Sequence, residues 1–214
     1  MPRDQSSVFD RLGAIRVVPV VVLDEVSQAA PVADALVAGG LPCAEITFRT
    51  PAAEGALLAL AGRSDILVGA GTVISVDQVD RAVAAGARFL VSPGFSADVV
   101  RRAGELEVPI LPGVATATEA QAAVVAGLDR VKFFPAERAG GLGMLSALSG
   151  PFPGLRFLPS GGVTLSNVSA YLAHPAVFAV GGSWMVPRAR VAAGDFEAVT
   201  RLAAQTVAAL DSGS

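Results

Sequence analysis

Lysine is all but missing from this chain. Of the 16 lysines and arginines one is a lysine, Lys132. Cysteine and histidine each occur once, as Cys43 and His174. A single cysteine excludes an internal disulfide framework and suits a reducing compartment. With one cysteine and one histidine there is no His/Cys cluster for a metal, and no arrangement supports a Ser-His-Asp triad. Cys43 opens an apolar strand, where a buried and inert thiol is expected. His174, in "LAHPAV", is expected at a helix end as a surface or capping residue.

Charge is scarce as well. Only 16% of residues are charged, which leaves room for an oligomer that covers part of the surface. A net charge of −3 and a pI near 5.2 argue against nucleic acid as the main partner, which would call for a basic face. The longest apolar runs, such as residues 17–23, fall far short of the roughly 20 residues of a membrane span. The N-terminal stretch "MPRDQSSVFDRLGAIR" has no apolar core of signal-peptide type. These absences lead to the expectation of a cytoplasmic protein with no membrane or nucleic-acid partner.

Apolar residues are plentiful, at 52% of the chain with a mean hydropathy of +0.57, ample for a large core. The 23 glycines and 14 prolines punctuate a repeating pattern. β-rich runs occupy residues 17–23, 43–48, 67–73, 89–94, 109–114, 130–136, 156–161 and 177–183, and each gap has room for one helix and two short loops. The continuous Val/Ile/Phe character of many runs suits parallel strands covered on both faces. Glycine closes the stretches "LVAGG", "AVAAG" and "AVVAG", where a left-handed residue ends a helix. Ser27, Ser75, Ser96, Thr118 and Thr164/Ser166 stand where N-caps are wanted. Residues 3–13 read as an extra N-terminal helix and 195–210 as a closing one.

Eight βα units without a break in composition predict an α/β fold, a (β/α)8 TIM barrel with an extra N-terminal helix. The whole chain, 1–214, reads as one domain, with 1–16 as helix and lead-in. A doubly wound open sheet is the alternative, and the regularity of the units favours closure. In such barrels active sites sit at the C-terminal ends of the strands.

Lys132 lies in one of these runs, "DRVKFFPAE". Period-2 alternation places it with Phe134 and Ala136 on one face and Val131, Phe133 and Pro135 on the other. An ordinary lysine would pack its stem and snorkel its amine to water. A chain that fills its other cationic positions with arginine keeps lysine where a neutral amine is needed, since arginine does not deprotonate. Desolvation and a neighbouring cation favour that neutral form.

In "CAEITFRTP", Glu45, Thr47 and Arg49 share a face. A carboxylate inside an apolar strand is costly without partners or work. Glu45 suits proton transfer, and the Arg49 fork suits a substrate carboxylate. "VGAGTV" brings Thr72 to a strand end behind two glycines. "VSPGF" and "LPGVAT" place Pro-Gly turns at the mouth. Paired glycines in "PSGGVT" and "VGGSWM" stand after the last two strands, where barrels commonly bind phosphate through backbone N–H groups. Ser160 and Ser183 add hydroxyls there.

Together "AEITFRT", "VGAGTV", "SPG", "PGVATATEA", "VKFFPAE", "LPSGGV" and "VGGSWMVP" resemble the 2-keto-3-deoxy-6-phosphogluconate (KDPG) and 4-hydroxy-2-oxoglutarate aldolase family from about residue 16 to 186. The resemblance implies a class I aldolase, a homotrimeric barrel that forms a Schiff base without metal or cofactor on a phosphorylated keto-acid substrate. It gives Lys132 the imine, Glu45 the general acid/base role and Arg49 the pyruvyl carboxylate. Thr72 and Pro93 line the pyruvyl pocket and Phe134 packs beside the imine. Gly161, Gly162, Gly182 and Ser183 hold the phosphate. Ser160 departs from the family's best-known members, which carry threonine before the glycine pair. A sister group acting on the 6-phosphogalactonate epimer departs at the R-T, P-G and F-F-P-A-E positions, where this chain does not. An isomerase or epimerase on the same barrel, and a phosphate-binding scaffold, are the alternatives from other classes.

Overall fold

The β-rich apolar runs enter a parallel sheet that curls on itself. The computed structural model describes residues 5–211. The strands are β1 (Val17–Val21), β2 (Cys43–Thr47), β3 (Leu67–Gly71), β4 (Leu90–Val91), β5 (Ile110–Leu111), β6 (Gly113–Val114), β7 (Arg130–Phe133), β8 (Arg156–Pro159) and β9 (Val180–Gly182). One sheet runs β5-β4-β3-β2-β1-β9 and a second β6-β7-β8. Parallel bridges Phe157↔Val177 and Ser160↔Gly181 join β8 to the segment of β9. β5 and β6 are one stave interrupted at Pro112, which has no N–H for the ladder, although its carbonyl accepts from the Lys132 N–H at 2.9 Å. The described strands thus close as eight staves, the expected barrel.

The helices are α1 (Gln5–Ile15), α2 (Ala29–Ala38), α3 (Ala53–Leu60), α4 (Val76–Ala84), α5 (Ala97–Glu105), α6 (Ala117–Val125), α7 (Gly141–Ser149), α8 (Val168–Leu172), α9 (Arg188–Ala192) and α10 (Phe196–Asp211). The expected N-terminal helix is therefore present and runs two residues past its expected end at Gly13; the start assigned to it, Arg3, lies outside the described residues. Gly40, Gly86 and Gly127 end α2, α4 and α6 at φ of +83°, +92° and +80°. Ser75 and Ser96 cap α4 and α5 as expected. The cap of α6 is Thr116 and not Thr118, because Thr116 and Glu119 make a reciprocal capping box. Asn167, not Thr164 or Ser166, precedes α8, and Ser27 lies within a short 3-10 turn behind Glu25.

Alternation divides the apolar residues between two cores. Val131, Phe133, Ala44 and Ile46 face the helices. Val18, Cys43, Leu67, Phe89, Val91, Leu111 and Leu158 form a second cluster with Phe9 and Leu12 of α1. That cluster fills the barrel interior below the functional end, and α1 plugs its N-terminal mouth. Gly69 makes room for it, since a Cβ there would lie 2.5 Å from the Phe89 ring. The interior is dry at one end. Its other end is polar.

Candidate active site

The interior positions above the apolar layer carry the polar residues. Glu45 pairs in register with Val20 on one side and Gly69 on the other, and Lys132 with Gly113 and Leu158. Both ionisable side chains are nearly closed off from water, Lys132 at 6% and Glu45 at 0% exposure. Lys132 Nζ stands 3.5 Å from Glu45 Oε1 and 5.2 Å from the centre of the Phe134 ring. Glu45 Oε2 is buried and has no hydrogen-bond partner among the described residues. A Cβ on Gly71 would overlap the Glu45 carboxylate, so the glycine of "VGAGTV" is there to admit it.

These groups open into a cavity of about 400 Å³ at the C-terminal ends of the strands. Each residue singled out in the sequence lines it: Glu45, Arg49, Thr72, Pro93, Lys132 and Phe134 on one part of the wall, and Ser160, Gly161, Gly162, Gly182 and Ser183 on the other. Val20, Thr47 and Val163 complete the lining. Thr47 was visible on the Glu45 face, but its hydroxyl is committed to the Val21 carbonyl at 2.9 Å. Val20 and Val163 carried no chemical signal in the sequence.

Arg49 is exposed at the rim, and its guanidinium has no ion-pair or hydrogen-bond partner among the described residues, whereas Arg63, Arg81, Arg101 and Arg102 are all paired. Thr72 adopts φ +57°, a conformation that a β-branched residue rarely takes, so the backbone holds strain beside the cavity. Gly161 and Gly162 have φ of +89° and +91°. The backbone N–H groups of Gly162 and Val163 meet no protein acceptor among the described residues, whereas that of Gly161 faces β9 at the Ser160↔Gly181 bridge. Ser160 is buried, and its hydroxyl has no protein partner there either. The wall therefore offers a free guanidinium, two free N–H groups and two serine hydroxyls, a set suited to an anion at each end of a ligand.

Cys43 takes no part. Burial pushes its thiol up to about 12, and Sγ donates weakly to the Val17 carbonyl at 3.4 Å. His174 joins the end of α8 to α7, with Nε2 at 3.0 Å from Ser146 Oγ and Nδ1 accepting from the Ala176 N–H. Among the described residues no group of three or more His, Cys, Asp or Glu side chains is placed to hold a metal ion, and no helix is long and apolar enough to cross a membrane.

Comparison with known proteins agrees with the geometry. A family model described as KDPG and KHG aldolase matches residues 8–202. The 2-dehydro-3-deoxy-phosphogluconate aldolase of Treponema pallidum is 50% identical, over 94% of this chain and 96% of its own. The KHG/KDPG aldolase of Escherichia coli K12 is 42% identical, over 89% of this chain and 90% of its own. Among solved structures, KDPG aldolase from Legionella pneumophila, with pyruvate captured as a covalent carbinolamine intermediate, is similar at a TM-score of 0.90 and 41% identity, covering 96% of this chain and 99% of that one. A barrel closed around a buried lysine and carboxylate, matched nearly end to end by these relatives, places the chain in the KDPG and KHG aldolase family.

Proposed function

We propose that the protein cleaves KDPG reversibly to pyruvate and glyceraldehyde 3-phosphate through a Schiff base on Lys132. The observation that carries the assignment of residues is the buried Lys132–Glu45 pair, with one carboxylate oxygen left free, at the open end of the barrel. The neutral amine attacks the C2 carbonyl, and loss of water from the carbinolamine gives an iminium. Glu45 takes the proton of the C4 hydroxyl. The C3–C4 bond then breaks, its electrons pass into the iminium, and the aldehyde leaves. Glu45 returns the proton to C3 of the enamine, and hydrolysis of the imine releases pyruvate. Arg49 holds the carboxylate, Thr72 and Pro93 bound the pyruvyl group, and Phe134 packs against the imine. The Gly161–Gly162 turn, Gly182 and Ser183 hold the phosphate, with Ser160 beside the aldehyde portion.

The same machinery serves 4-hydroxy-2-oxoglutarate, which gives pyruvate and glyoxylate and needs no phosphate site. The intact R-T, P-G and F-F-P-A-E segments favour KDPG over its 6-phosphogalactonate epimer. An imine-free isomerase has no use for a buried lysine, and a scaffold has none for Glu45 beside it. Sparse surface charge and the exposed Leu58 and Ile74 support a homotrimer, and the barrel is taken as one domain over 1–214, cytoplasmic and without nucleic-acid or membrane partners.

Borohydride with pyruvate tests the reading. It should inactivate the enzyme irreversibly and label only the peptide containing Lys132, with EDTA leaving activity intact. Lys132→Arg should be inactive although the charge is kept. Labelling elsewhere, or activity restored only by a divalent metal, would overturn the assignment.

A further inference from the structure

Three carbonyls of the turn after β8 are held from behind. The Ser160 carbonyl accepts from the Ala136 N–H at 2.8 Å, that of Gly161 from the Glu137 N–H at 3.0 Å, and that of Gly162 from Asn167 Nδ2 at 3.2 Å. In a trans peptide the C=O and the following N–H point in opposite directions. The N–H of Gly161 thereby faces β9 at the Ser160↔Gly181 bridge, and fixing the carbonyls of Gly161 and Gly162 against the protein aims the N–H groups of Gly162 and Val163 away from it, on the side where these residues line the cavity. Asn167 is itself fixed, because its Oδ1 accepts from the Thr164 N–H at 2.8 Å.

Glu137 supports the same turn a second time. A Cβ on Gly162 would lie 2.6 Å from Cβ and Cγ of Glu137, so the glutamate stem packs directly beneath the turn. Its carboxylate does not line the cavity, and Oε1 accepts from the hydroxyl of Tyr171, a side chain only 1% exposed. Burial, and then the glutamate itself, pushes the Tyr171 phenol well above the ordinary tyrosine value, so it stays a donor. Without that donor, an ionised carboxylate would stand loose beside N–H groups that are meant for an anion.

We propose that Asn167 and the Tyr171–Glu137 pair are positioning residues that hold this turn with its N–H groups presented to the substrate phosphate. Neither Asn167 nor Tyr171 touches the cavity. The inference rests on the phosphate assignment above. It reaches beyond it in naming what sets the strength of the site.

Steady-state kinetics of Asn167→Ala and Tyr171→Phe, with KDPG and with 4-hydroxy-2-oxoglutarate, test it. Misaimed N–H donors to a charged group should raise KM for KDPG about tenfold or more, while kcat/KM for the unphosphorylated substrate moves by less than about twofold. Borohydride trapping of pyruvate should keep its wild-type rate. An equal loss on both substrates, or an unchanged KM for KDPG, would overturn the proposal. Ser183→Asp, which sets a carboxylate against the phosphate, separates the two readings. If it harms KDPG selectively while Asn167→Ala and Tyr171→Phe do not, the phosphate assignment stands and the positioning role falls. If it harms neither substrate selectively, both fall.

Discussion

At the scale of single residues, function here works against stability. Burying a carboxylate oxygen with nothing to accept from costs on the order of 1–3 kcal/mol, and Glu45 Oε2 is such an atom. The proposed mechanism accounts for the cost, since it assigns the free oxygen to the C4 hydroxyl of the substrate. Glu45→Gln should therefore leave thermal stability unchanged or raise it, while cleavage falls about 10²–10⁴-fold. Trapping of pyruvate by borohydride should persist, since the imine needs Lys132 alone. Turnover of the variant near the wild-type rate would show that the base lies elsewhere. The residue types were readable in advance, because a lone lysine and a carboxylate set in apolar runs are costly to bury unless chemistry uses them. Their meeting was not, because 87 positions separate them and only closure of the barrel brings them to 3.5 Å. Nor was the first demand on Gly162 legible. The sequence assigns that glycine to phosphate, whereas its φ of +91° and the Glu137 stem beneath it require glycine before any ligand arrives.

Elements were legible in number and place and less so at their ends. Each run read as a strand holds one, but residues 22–23, 72–73 and 92–94 lie beyond the strand ends, and of these Thr72 and Pro93 line the cavity. Strand-like composition continues through them because Leu23 and Val73 still pack in the core that faces the helices. Proline marks the real limits better, with Pro93 after β4 and Pro112 splitting β5 from β6. Helix starts show the same competition. Two threonines, Thr116 and Thr118, stand at the start of α6, and the spacing to Glu119 decides between them. Thr116 Oγ1 accepts from the Glu119 N–H at 3.3 Å, and Glu119 Oε2 accepts from the N–H groups of Ala115 and Thr116 at 2.8 and 2.9 Å. Thr116→Ala should cost about 1 kcal/mol. Thr118→Ala, at an exposed helical position, should be neutral or stabilising by a few tenths, because alanine is the better helix former. Denaturant midpoints of the two variants check this, and equal losses would mean that the capping box is not what starts α6.

The molecule as a whole separates the work of folding from the work of catalysis along one axis. Val18, Cys43, Leu67 and Phe89, near the N-terminal ends of their runs, are apolar and cluster with α1, whose Phe9 and Leu12 close that mouth. Arg130 lies across the plug, its guanidinium 5.5 Å from the Phe9 ring and 5.8 Å from Phe178. The open end carries the buried pair, the strained Thr72 and the unfilled N–H groups. Strain at the open end must be offset elsewhere, and the closed end is where apolar burial is densest inside the barrel. Damage to the plug should thus appear in stability and not in chemistry. Leu12 is fully buried, so Leu12→Ala should cost about 2–5 kcal/mol. For a chain of this size that lowers Tm by roughly 4–20 °C. Well below the new Tm, kcat and KM for KDPG should stay within about twofold of wild type, because Leu12 packs in a cluster with Val91, Leu111 and Leu158, none of which lines the cavity. Calorimetry with kinetics at low temperature makes the measurement. A Tm left unchanged would mean that α1 is not the plug. A folded variant with kcat lowered tenfold would mean that the apolar layer transmits strain to Lys132, and that the two ends of the barrel are not independent.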